Sequence, residues 1–148
     1  MYNWSSPKSD WKFSDATGKY AIVIDIQKQI TYWRDGSNED MEVAKELMKL
    51  GRTRHGFFFA HLALEKMLKA HVCRATGDLA PRIHNLVRLS ELTDLSFSKS
   101  RQRFLAGFDV YQMEGRYPDR LPELPSKDEA MQQVQDVEDI LQWLKKKF

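Results

Sequence analysis

Residues Thr53 to Thr76 read TRHGFFFAHLALEKMLKAHVCRAT, and this stretch decides the fold. Phe57, Ala60, Leu64, Leu68 and His71 recur at the spacing of one helical face. The opposite face carries Phe59, Leu62, Lys66, Lys69 and Cys73. A helix that is apolar on more than one side must bury more than one side. The first stripe faces a bundle. The second needs a further covering, along which the lysine stems can lie. Gly51 precedes the helix and Gly77 stops it.

Toward the N-terminus the pattern allows two readings. Ile22, Ile24 and Ile26 alternate, which suits a strand. Ile22, Ile26, Ile30 and Trp33 also fall at helical spacing, and the stripe continues through Met41, Ala44 and Met48 with Ser37 in the intervening slot. The phase favours one long helix from about Tyr20 to Leu50, weakened or bent at Gly36. The rival is a strand followed by a fresh helix capped at Ser37, with Asp40 closing a capping box. Residues 1–18 hold Ser, Pro, Asp and Lys with isolated aromatics (Trp4, Trp11, Phe13) and read as an irregular arm that packs on the bundle or across a dimer.

Toward the C-terminus, a loop with Pro81 leads into a short helix from about His84 to Leu92. Another helix runs from near Ser98 to Glu114, with Phe104, Leu105, Phe108 and Tyr111 apolar. Arg116 to Pro125 holds three prolines and cannot be helix interior. Ser126 and Glu129 form a capping box, after which Ala130, Val134, Val137, Leu141, Leu144 and Phe148 keep a four-three spacing. The expected class is all-α: an antiparallel up-and-down bundle of about five helices over 19–148.

The chain has 148 residues, 23 Lys+Arg against 21 Asp+Glu, and one cysteine. That length suits a single domain, and one cysteine excludes a disulfide scaffold. No apolar run reaches the roughly 20 residues of a membrane span, and no signal-peptide core occurs, so a cytoplasmic protein is expected. A net charge of +2 argues against an extensive duplex-binding face.

With the helix from His84 and the helix from Ser98 each counted as a crossing, the alternate connections at 74–84 and 114–120 fall at one end of the bundle. Arg74, Arg82, His84, Arg116, Tyr117, Asp119 and Arg120 should gather there, with Lys69 two turns away. Arginine suits phosphate, tyrosine stacks on a base or ribose, and histidine moves a proton. Loop residues that only hold the fold are the alternative. His61 and Glu65 stand at a spacing metals use, but no further ligand follows, so no metal and no cofactor are expected.

Four segments resemble the HEPN domain: Asp40 to Leu47, His55 to His71, Ile83-His84-Asn85-Leu86, and Gly115-Arg116-Tyr117-Pro118-Asp119. The resemblance covers about Thr31 to Phe148. It implies a helical bundle, usually a homodimer, in prokaryotic cytoplasm. It also implies nucleotide binding and partnership with a minimal nucleotidyltransferase in a toxin–antitoxin setting. A large subset of the family are metal-independent ribonucleases using an arginine followed, four to six residues later, by a histidine. Here Arg116 matches the arginine, but positions 121 to 123 are Leu, Pro and Glu and no histidine follows His84. Arg54 and His61 have that spacing in the wrong element.

The expectation is therefore a non-catalytic member that binds a nucleotide or RNA phosphate through Arg116, Tyr117, Asp119, His84, Arg82 and Lys69. A divergent endoribonuclease using Arg116 and His84 is the alternative, and an interaction module without ligand is the third reading. A homodimer would also give the second apolar face of the central helix its covering.

Overall fold

The computed structural model describes residues 11–14, 20–22, 24–112 and 122–148. Its elements are β1 (Trp11–Ser14), β2 (Tyr20–Ile22), α1 (Ile26–Lys49), α2 (Thr53–Thr76), α3 (Leu86–Glu91), α4 (Lys99–Phe108), a 3-10 turn (Asp109–Gln112) and α5 (Lys127–Lys145). The class is all-α, with one small antiparallel ribbon in which Trp11 pairs with Ile22 and Ser14 with Tyr20. The arm expected to be irregular thus contains β1, and the rest of it lies outside the described residues.

The long helix begins at Ile26, not Tyr20. Asp25 is the reason: it is extended, and its carboxylate accepts from the Lys28 N–H at 3.1 Å. Of the alternating isoleucines, Ile22 ends β2, Ile24 lies in the connection and Ile26 opens α1. The rival break at Ser37 does not occur. Ser37 lies inside α1, fully buried, and its hydroxyl donates to the Ala63 carbonyl of α2 at 2.7 Å. Gly36 serves close approach instead: a Cβ there would stand 3.1 Å from Cδ of Lys66, whose stem crosses it to reach Asp40.

Helix α1 lies antiparallel along α2, so that Met48 meets Gly56 near the turn and Asp40 meets Lys66 further on, at 2.7 Å. Desolvation raises the Asp40 pKa above the ordinary carboxylate value, and Lys66 opposes it. The second face of α2 therefore has its cover within the chain. Lys66 pairs with Asp40, Lys69 lies over the Trp33 ring at 5.2 Å, and Cys73 packs with Ile30. That face was assigned above to a homodimer interface, and this part of the assignment is corrected.

Helices α4 and α5 close the other side. Phe97 and Arg101 meet Trp143, while Phe108 and Tyr111 meet Phe57, so α4 runs antiparallel to both α2 and α5. The bundle goes up and down through α1, α2, α4 and α5. Six-residue α3 is too short to cross it. Phe57, Leu64, Met67, Leu68, Leu105, Leu141 and Leu144 are fully buried. Among the described residues no helix is long and apolar enough to cross a membrane.

At the far end of α2, His71 Nε2 faces the Leu144 carbonyl at 2.8 Å and the ring stacks on Phe148. A carbonyl only accepts, so Nε2 carries the proton and Nδ1 does not. Burial lowers the His71 pKa from 6.5. The neutral ring is favoured in the folded state, so its contribution is complete above about pH 6.5 and is lost as pH falls through the folded pKa. Urea melts at about pH 7.5 and about pH 5.5 should show lower stability at the acid value. His71→Asn should shrink that difference, and an unchanged difference would assign it to other groups.

Candidate functional site

His61, Glu65 and Lys69 follow one another at four-residue steps on one face of α2, and all three are buried. Such a run is admissible only if every charge finds a partner. Glu65 Oε1 accepts from Lys69 Nζ at 2.8 Å and faces His84 Nδ1 at 3.0 Å. His61 Nε2 faces Asp109 Oδ1 at 2.9 Å. Both Asp109 oxygens also accept from the Leu86 N–H, at 3.1 and 3.2 Å. The carboxylate of Asp109 thereby holds the N-terminus of α3 against α2. Asn85 caps the same helix, accepting from the Arg88 N–H at 2.8 Å.

These bonds draw the segment ahead of α3 back along α2 from Gly77, where the backbone turns left-handed (φ 64°), to the level of Glu65. Pro81 and Ile83 are half-buried on it, while Arg82 and His84 are exposed. The His84 side chain is 66% exposed and the Glu65 side chain only 6%. An exposed imidazole thus rests one ring nitrogen on a buried carboxylate, with a basic side chain two residues away.

Among the residues expected to form the site, His84 and Lys69 come together on Glu65, and Arg82 lies on the same segment. Lys69 is not free for a ligand, since its ammonium is taken up by Glu65 and Trp33. Arg116, Tyr117, Asp119 and Arg120 lie outside the described residues. Tyr111 and Pro122, the nearest described neighbours on either side to do so, line one cleft of about 450 Å³ with Phe104, Gln133 and Asp136. Tyr111 also packs on Phe57 near the start of α2. Arg74 is at the other end of α2, donating to the Lys147 carbonyl at 2.7 Å. Because α3 does not cross the bundle, Arg74 and the described residue Tyr111 lie at opposite ends of α2.

The sequence reading missed Asp109 and both pairings that reach α2 from elsewhere. The one signal was an acid set between Phe108 and Tyr111 in an otherwise apolar run. Among the described residues no group of three or more His, Cys, Asp or Glu is arranged to hold a metal ion.

The family model for the HEPN domain matches residues 30–147. The crystal structure of TT1696 from Thermus thermophilus is similar at 22% identity, covering 81% of this chain and 98% of that one, with a TM-score of 0.69. ST0689, an archaeal HEPN homologue, is similar at 20% identity over 80% of this chain and 96% of its own, with a TM-score of 0.61. At these identities the likeness is one of fold. No curated protein matches the chain.

Proposed function

The chain belongs to the HEPN domain family, and on that premise we propose that it is a non-catalytic member that binds the phosphate of a nucleotide or RNA on the segment ahead of α3. The observation that carries this is the exposed pair Arg82 and His84, fixed in place by the buried Glu65 behind His84. A guanidinium supplies a forked cation for phosphate. Lys69 acts through Glu65 and does not touch the ligand. Arg116, Tyr117 and Asp119 join the proposal from sequence alone. Partnership with a nucleotidyltransferase in a toxin–antitoxin setting, a homodimer and a prokaryotic cytoplasmic location complete the reading.

A second reading has its own observation. An imidazole whose Nδ1 sits on a buried carboxylate is the arrangement of a general base, which favours an endoribonuclease using His84 with Arg116. One experiment separates the two. ATP at millimolar concentration should raise the melting temperature of the wild type and raise it less in Arg82→Ala and Arg116→Ala. Structured RNA kept with the protein and EDTA should remain intact. No thermal shift at any concentration overturns binding, and cleavage that disappears in His84→Ala establishes the enzyme instead.

A further inference from the structure

We propose that the cleft between α4 and α5 binds a free aromatic amino acid, with Arg103 on its carboxylate, Asp136 on its ammonium and Phe104 against its ring. This site is separate from the segment ahead of α3 and does not depend on the phosphate reading.

The cleft has about 450 Å³, within the roughly 300–1,000 Å³ of small-molecule sites. Arg103 and Phe104 line it from α4, Gln133 and Asp136 from α5. Its apolar part is a run of rings. Phe104 stacks on Phe108 at 5.4 Å, and Phe108 meets Tyr111 at 5.0 Å. Phe104 is the half-buried member, so its ring still has surface to offer. A planar aromatic ligand covers that surface by offset stacking or edge contact.

Gly107 keeps the cleft open. It is a lining residue in the last turn of α4. Its φ is not positive, so the backbone does not require glycine. A Cβ there would meet nothing within 4 Å, so no packed neighbour requires it either. Alanine would make the better helix. What the missing side chain supplies is width in the cleft.

The charges select the ligand. Arg103 has no hydrogen bond or ion pair among the described residues. Asp136 accepts from the Gln132 amide through Oδ1 at 3.0 Å, and Oδ2 has no partner among the described residues. The two opposite charges line one cleft yet do not pair with each other. A ligand of single charge leaves one of them unanswered. A ligand with carboxylate and ammonium on one carbon meets both, and the Gln133 amide can bond either group.

The test is an amide NMR titration with L-tryptophan and two analogues that each lack one charge: tryptamine, without the carboxylate, and indole-3-propionate, without the ammonium. In the wild type L-tryptophan should shift the Gly107 amide and the Gln133 side-chain amide and leave His84 unmoved. It should bind about two- to five-fold more tightly than either analogue, the worth of one solvated ion pair. Arg103→Gln should bring L-tryptophan level with tryptamine, and Asp136→Asn level with indole-3-propionate. Gly107→Leu should fill the cleft and abolish the shifts. Gly107→Ala should raise the melting temperature and weaken binding.

Absence of shifts at millimolar L-tryptophan overturns the inference. Equal affinity for the three ligands in the wild type also overturns it, since the cleft is then a general apolar surface. Binding that survives Gly107→Leu lies elsewhere and overturns it too. None of these outcomes touches phosphate binding, which is read at Arg82 and Arg116.

Discussion

Replacing Phe57 by Ala should lower the unfolding free energy by about 3–5 kcal/mol. The ring is fully buried where three elements converge: it stacks edge-on against Phe108 at 5.6 Å and lies 4.6 Å from Tyr111, with Met67 and Leu64 in the same core. Two terms add. Apolar area returns to water, and a cavity remains because α2 is held from both sides and cannot collapse into it. The aromatic contacts add about 0.5–1.5 kcal/mol each beyond area. For a chain of this size the melting temperature should drop by roughly 10 °C. Phe57→Leu, which keeps most of the volume, should cost much less. Equal loss in the two variants would show that ring geometry, not filled volume, sets the cost.

Lys69→Ala is the second large effect, expected at about 3–5 kcal/mol. Both members of the Lys69–Glu65 pair are buried, with 7% and 6% of the side chain exposed. Removal of the ammonium leaves the Glu65 carboxylate in the interior with only imidazoles beside it, exposed His84 at 3.0 Å and buried His61 at 3.9 Å. The double variant Glu65→Leu with Lys69→Met should recover most of the loss, because two apolar side chains of similar size need no desolvation of charge. Urea melts of the two variants decide it. If the double variant were as unstable as the single, packing of the lysine stem under Trp33 would be the larger contribution.

The same double variant also separates stability from function. It should fold well, yet His84 would lose the carboxylate that orients it. Such pairs are weak evidence for stability, and the arrangement of Glu65 makes better sense as a mount for His84 than as a fastening for α2.

What was legible in the sequence depended on distance along the chain. The extent of α2 was, since Gly51 and Gly77 take left-handed backbone at φ 71° and 64°, a property local to each residue. The start of α5 was, since Ser126 and Glu129 exchange hydrogen bonds three residues apart, at 3.3 and 3.1 Å. The start of α1 was misplaced because helical and alternating patterns overlap across Ile22 and Ile26. Asp25, the residue that settles it, is a cap signal of ordinary strength.

The site was legible only in part. Lys69 and His84 were singled out, but as independent groups facing a ligand. Glu65 between them was noted for its metal-like spacing from His61, whereas it pairs with Lys69 and His84. Asp109, 48 residues from His61, had no local pattern to announce its partner.

By itself, then, the sequence determined the helical class, the two-faced central helix and the caps, because those depend on bonds spanning at most four residues. The tertiary structure alone decided that α3 is too short to cross the bundle, that the segment ahead of it runs back along α2, and that α1 covers the second face of α2. It also decided that Glu65 and His84, 19 residues apart, would meet. Such meetings depend on the relative lengths and rotations of packed helices, to which no single stretch of chain is tied.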